Sequence, residues 1–275
     1  MTEFAHCFLL VFGQLAAGGF FALSRLPFHD IERGFYKSTA AVYLASGAVL
    51  VLGQLALLGR SSTDVSASAT LEVVLWLAML VSGAVYLSSL WGDPYRRRAI
   101  AYVATVLLAF LAVVTSALRY SPGPPFSVES LLYPLSFLVS ALLLGATATG
   151  MLLGHWYLID VGMPLGPLIR IWQLYRTSLL VQLGTLATCV LALYVAGTTP
   201  TTIAVQSLWG PYQSLFWTRL AVGPIAALGI AWMIWRTLAI PQTMAATGLF
   251  YVAILSTVVG EFLGRFLLFR TSLPL

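Results

Sequence analysis

The sequence predicts an all-α, polytopic integral membrane bundle of eight transmembrane helices, and three observations carry that reading. Hydrophobic residues make up 60% of the 275 and charged residues only 8%, against roughly a quarter charged in an ordinary soluble domain. The apolar residues gather into eight runs of about 20, the helical length that crosses a hydrocarbon core of about 30 Å. Short breaks rich in Gly, Pro, Ser and charge separate the runs, and no soluble domain or low-complexity tail is left over.

The first run, residues 4–25, carries Glu3 and no basic leader ahead of it, so a retained helix is expected in place of a signal peptide. The second, 39–59, follows "SRLPFHDIERGFYK"; the third, 71–91, follows "GRSSTDVSAS"; the fourth, 99–119, follows "WGDPYRRR". "RYSPGPPFS" leads into the fifth, 130–154. Between it and the sixth, 176–196, lies "GMPLGPLIRIWQLYR", a proline-broken basic and aromatic stretch expected to lie in the membrane interface or to present a docking surface. "AGTTPTT" and "AIPQT" set off the seventh run, 216–236, and the eighth, 244–269, so residues 1–275 read as one transmembrane domain.

Basic residues report the orientation. Arg25, Arg33, Lys37, Arg96, Arg97, Arg98, Arg170, Arg176 and Arg236 fall on one side, and Arg60, Arg119, Arg219 and Arg270 on the other. The positive-inside rule then places the first side in the cytoplasm of a prokaryotic inner membrane and both termini on the outer, periplasmic side. The +5 net charge is spread over short loops and forms no face, which excludes a nucleic-acid partner. Trp and Tyr near helix ends, Trp76 among them, read as an aromatic belt against membrane lipid.

Two cysteines, Cys7 and Cys189, both in apolar runs, offer no zinc or iron–sulfur ligand set. A membrane haem needs two His at one depth on facing helices, and of His6, His29 and His155 the second falls in a polar, proline-containing loop, so no haem is expected either.

An ionisable side chain in the hydrocarbon layer costs at least about 2.5–3.5 kcal/mol on insertion scales, so each one asks for a reason. In "STVVGEFLGRFLLF", Glu261 and Arg265 stand four apart, able to neutralise one another as an intramembrane pair, while Gly260 and Gly264 form a small-xxx-small packing face. Gln14 lies in "LVFGQLAAGGF" beside Gly18 and Gly19, and Gln54 in the second run; either amide suits an interhelical hydrogen bond or a quinone carbonyl. His6 is placed to accept a proton at the outer interface, and Arg60, Glu72, Arg119 and Glu129 gather at the outer ends of helices two to five, where charges are ordinarily solvated and where a proton exit is the functional alternative.

"FGQLAAGGF" at Phe12 to Phe20 and "GEFLGRFLLF" at Gly260 to Phe269, on either side of the helical run, resemble the membrane-anchor subunit of dimethyl sulfoxide reductase and, more broadly, the polysulfide reductase and NrfD-type anchors. Gln14, Gly18, Gly19, Gly260, Glu261, Gly264 and Arg265 carry the match. The resemblance implies an anchor with no redox centre of its own that binds a quinone, menaquinone or ubiquinone. It also implies electron exchange with a ferredoxin-like iron–sulfur subunit serving a molybdopterin catalytic subunit. Those anchors place a His before a Gly near the outer end of helix two, where this sequence has Leu57 in "LALLGR". The proton-accepting role then falls to His6 or Glu72, or quinone binds differently, or the chain has another electron partner. A small-solute or ion transporter and a ligand-free structural subunit are the readings that compete with a respiratory anchor.

Overall fold

The computed structural model describes residues 2–59, 66–160 and 162–275, and 84% of the molecule is helical, with no strand among the described residues. The helices are α1 (Thr2–Leu23), α2 (Arg33–Leu58), α3 (Ala67–Ser89), α4 (Tyr95–Tyr120), α5 (Val128–Ile159), α6 (Gly166–Ala196), the short α7 (Thr199–Ser207), α8 (Gln213–Leu220), α9 (Ala226–Ala239) and α10 (Thr243–Thr271). A π-helical turn, Ala221–Ile225, joins α8 to α9 as a single stretch, Gln213–Ala239. Counted so, eight stretches among the described residues are long and apolar enough to cross a membrane. The molecule is an all-α polytopic bundle.

Two helices begin six or more residues ahead of their apolar runs. α2 starts at Arg33 and not at 39, and α6 at Gly166 and not at 176. Cations in the opening turns of a helix remain helical because their stems lie along the helix while the charged heads reach polar or aromatic partners. Arg33 pairs with Asp93, Lys37 Nζ sits 4.5 Å from the Trp91 ring centre, and the Arg176 guanidinium 4.9 Å from that of Trp172. The stretch "GPLIRIWQLYR" is therefore the opening of α6, continuous with the sixth span. Its aromatic face is committed inside the bundle, where Trp172 Nε1 donates to the Ala231 carbonyl and Tyr175 Oη to that of Ala227, both at 2.9 Å. Trp76 likewise leaves the aromatic belt: it is 1% exposed and packs against Gly13.

α1 and α5 form the centre. Their apolar windows are 72% and 78% buried inside the bundle, while no other span exceeds 44%. They cross with their backbones in contact: a Cβ on Gly18 would lie 1.6 Å from the Ala141 carbonyl oxygen, and one on Gly145 1.9 Å from the Gly18 carbonyl carbon. Small residues at such a crossing are the usual means of bringing helices together in lipid, where no hydrophobic force distinguishes neighbour from solvent.

The remaining spans repeat one arrangement on either side. α2 packs on α1 as α6 packs on α5; α3 lies between α2 and α4 as the α8–α9 span lies between α6 and α10; and α4 touches both central helices, as does α10. Eight spans bring both termini to one end, where Arg270 Nη1 stands 3.7 Å from Glu3 Oε2. After α10, Ser272 adopts the left-handed conformation (φ 56°), and the chain turns back so that Leu273 and Leu275 are buried. Tyr133 Oη donates to the Ser272 carbonyl there.

Gly18→Ala is expected to abolish the folded, monodisperse protein, because the methyl group would meet backbone that cannot withdraw. Gly184→Ala and Gly248→Ala, where an added methyl meets nothing within 4 Å, are expected to leave it intact. Size-exclusion chromatography of the three variants in mild detergent separates the outcomes.

Candidate functional site

Two buried carboxylates organise the polar interior, one in each half of the bundle. Glu261 on α10 is fully buried and draws on three helices: Arg219 Nη2 of α8 at 2.9 Å, Gln182 Nε2 of α6, and Arg265 Nη2 one turn along α10 at 3.5 Å. Arg265 Nη2 also donates to Ser140 Oγ of α5 at 2.8 Å, and its guanidinium sits 4.1 Å from the Phe137 ring centre. The i, i+4 pair is thus the longer arm of a triad. Two cations face one anion, and Arg219 Nε, Arg265 Nε and Nη1, and Gln182 Oε1 have no hydrogen-bond partner. The Phe137 ring face offsets part of the excess positive charge.

Gly260 and Gly264 of α10 make room for this triad. A Cβ on Gly260 would lie 2.6 Å from Gly223 Cα and 3.0 Å from Arg219 Nη1, and one on Gly264 2.9 Å from Arg219 Nε. Gly260 and Gly264 therefore form the slot in which the Arg219 side chain lies. The π turn that follows Arg219 contains Pro224, which has no N–H to give the ladder, and the Val222 carbonyl is taken up by Ser256 Oγ of α10 at 2.5 Å. Counting Arg219 among the outer loop charges is corrected by this geometry: it is 1% exposed and belongs to the interior.

The second carboxylate, Glu72 of α3, is 1% exposed. It accepts from Gln54 Nε2 of α2 at 2.8 Å, from Ser116 Oγ of α4 at 2.5 Å, and from Arg119 Nη1 of α4. Its surroundings differ from those of Glu261 in one respect, an open space at the terminal end of the bundle. A cavity of about 220 Å³ is lined by His6, Gln54, Leu57, Val73, Arg119 and Tyr120 among others. Gln54 Oε1 is buried there without a hydrogen-bond partner among the described residues. Glu129, also 1% exposed, has a plainer duty, accepting from the Thr198 N–H at 2.6 Å and Thr201 Oγ1 at 3.1 Å to fix the start of α7. Neither Glu72 nor Glu129 is a solvated loop charge.

Gln14 stands between the two clusters. Its Nε2 donates to the Phe137 carbonyl of α5 at 3.2 Å, and its Oε1 has no partner, as is true of Trp76 Nε1. Both residues, with Ser116, line a void of about 10 Å³, the size at which a single water fits between an acceptor and a donor.

The structure therefore gathers His6, Gln54 and Arg119 around one cavity, sets Glu72 behind Gln54 and Arg119, and leaves Gln14 in the next layer. Gly18 serves the α1–α5 crossing, and Gly19 makes room for the Tyr43 ring, which a Cβ would meet at 2.4 Å. Arg60 lies outside the described residues. Sequence reasoning did not find Arg219, Gln182 or Ser116, since their partners are 42, 79 and 44 residues away and no local spacing announces them. Among the described residues no group of three or more His, Cys, Asp or Glu could hold a metal ion. No family model matches this chain, and no curated protein matches it.

Glu261→Gln strands two buried cations and is expected to cost about 3–5 kcal/mol of stability, the range for breaking a buried ion pair. Glu261→Gln combined with Arg219→Met removes one stranded charge and is expected to recover a measurable part of that loss. Thermal unfolding of the two variants in the same detergent gives the comparison.

Proposed function

We propose that this chain is the quinone-interacting anchor subunit of a respiratory oxidoreductase complex of a prokaryotic inner membrane. In this reading it exchanges electrons between the quinone pool and a ferredoxin-like iron–sulfur subunit, which serves a molybdopterin catalytic subunit. The observation that carries the proposal is the cavity between His6, Gln54 and Arg119 with the Glu72 carboxylate behind it. Apolar walls with a few convergent polar groups are what a quinone ring requires, and the unpartnered Gln54 Oε1 fits a ligand that brings a hydroxyl. The anchors that the two chain ends resemble carry a His where Leu57 stands. Leu57 and His6 line the same cavity, so an imidazole reaches that space from α1 in place of α2.

The bound quinone would supply two-electron, two-proton redox chemistry. The chain's own residues bind and move protons around it. His6 accepts a proton at the cavity, and Arg119 offers donors to a carbonyl or an oxyanion. Glu72 holds Arg119 and Gln54 in place from behind, fixed in turn by Ser116. Leu57, Val73 and the Tyr120 ring keep water from the ring edge. Glu261 and Arg265 lie in the other half of the bundle and act as a lock between helices, and Gln14 as a packing amide.

The charge asymmetry favours an orientation in which the basic end faces the cytoplasm, so that the cavity and both termini face outward. A transport reading asks for interrupted spans at equivalent places in the two halves. The seventh span is interrupted by its π turn, while its counterpart α3 is a continuous α-helix, which favours the anchor.

Extraction and mass spectrometry of the complex purified from native membranes test the proposal. Quinone and an iron–sulfur subunit are expected with the wild-type chain, and His6→Leu and Gln54→Leu are expected to assemble while losing retained quinone and quinol-driven electron transfer. A quinone-free chain without partners, under conditions that preserve other respiratory complexes, would overturn it.

A further inference from the structure

The opposite, basic end of the bundle holds a second cavity, of about 300 Å³, closed by the end of α1, the α1–α2 loop and the adjoining turns of α2, α3 and α4. Its walls are aromatic: Phe28, Tyr36, Tyr86, Tyr95 and Tyr102. The carbonyls at the end of α1 that border it are already taken up, with Tyr102 Oη donating to Phe20 O at 2.5 Å and Ser24 Oγ to Phe21 O at 2.6 Å. Two polar groups remain buried and unmet. Among the described residues Tyr36, 2% exposed, has no partner for its hydroxyl, and Arg98 has none for Nη1. A guanidinium N–H can only donate, and a tyrosine hydroxyl donates as readily as it accepts.

No carboxylate lines this space, and Arg98 makes no ion pair among the described residues; its guanidinium rests 4.5 Å from the Phe28 ring centre. The cavity also receives the first turn of α4, Tyr95 to Ala99, whose amide dipoles present positive charge. A cation without an ion-pair partner, an unmet hydroxyl and the first turn of a helix border one pocket; the cation and the helix end favour an anion there, and the hydroxyl can donate to one. On the other face of α4, Arg96 and Arg97 crown an open groove floored by Val85, Ile100 and Ala101, as a charged lipid head above its chains would require.

We propose that this cavity binds a phosphoryl group, and that the group is the headgroup phosphate of an anionic phospholipid in the leaflet at the basic end. Arg98 Nη1 and the Tyr36 hydroxyl are its donors, and the aromatic walls cover its glycerol region. The site is independent of the quinone cavity, which lies at the other end of the bundle.

The test uses the delipidated full chain in detergent, with thermal unfolding read against dioctanoyl phosphatidylglycerol, dioctanoylglycerol and inorganic phosphate. Phosphatidylglycerol is expected to raise the unfolding temperature saturably, and the other two to leave it unchanged. Arg98→Gln and the near-isosteric Tyr36→Phe are each expected to weaken the apparent affinity about tenfold, the effect of losing one hydrogen bond to a charged group. Arg236→Gln, at the same end and outside the cavity, is expected to bind as the wild type does. An equal shift with inorganic phosphate would overturn the lipid as the source. An equal shift with dioctanoylglycerol, or unchanged affinity in both cavity variants, would overturn the site.

Discussion

The contact between Gly18 and Gly145 is the constraint from which the rest of the molecule follows. Because lipid offers no hydrophobic penalty for a separated helix, a membrane bundle must be held by close van der Waals approach and by polar groups that find one another. The crossing of α1 and α5 supplies the first, and it sets the separation at which α4 and α10 can each touch both central helices. Around that axis the two halves repeat one plan. A Gln on the second helix donates to a carboxylate that an Arg from the adjoining span also holds: Gln54, Glu72 and Arg119 in the first half, Gln182, Glu261 and Arg219 in the second.

The repeat is one of arrangement, and the signs are exchanged within it. In the first half the carboxylate sits on the third span and the arginine on the fourth; in the second half the arginine sits on the third and the carboxylate on the fourth. The halves also differ in what surrounds the charge. Glu261 is closed in by Arg219, Arg265 and the α10 glycines, whereas Glu72 stands beside open space bordered by His6 and Tyr120. A carboxylate enclosed by cations serves cohesion. One beside a cavity holds Gln54 and Arg119 at the cavity wall, and the proposal of a quinone site in the first half and not in the second rests on that difference.

Much of this was legible in the sequence, and the remainder was hidden for identifiable reasons. Eight spans follow from apolar run lengths, since the bilayer sets one dimension for all of them. The Glu261–Arg265 pair was readable because its spacing is that of one helical turn. The opening turns of α6 were not, because Arg170, Gln173 and Arg176 lower the local hydropathy while Trp172 and Tyr175 hold the same turns inside the bundle. Arg219 resembled a loop charge for a related reason: its neutralising partner is 42 residues distant, and position along the chain says nothing of depth. His6, Gln54 and Glu72 were each readable as polar residues near one face, yet only the packing of α1 to α4 reveals that His6 and Gln54 border a common space and that Glu72 holds Gln54 from behind it.

The π turn at Ala221–Ile225 has a consequence for the phase of the seventh span. Such a turn is equivalent to one residue inserted into an α-helix, and every residue beyond it is rotated by about 100° relative to an uninterrupted helix. Arg219 stands before the turn, and Ala227 and Ala231, whose carbonyls receive Tyr175 and Trp172, stand after it. A regular helix would present either the arginine to Glu261 or those carbonyls to α6, but not both. The irregular turn thus lets one helix meet two neighbours whose demands differ by a fraction of a turn, and the extra residue is the means by which a buried charge was fitted to a bundle already packed.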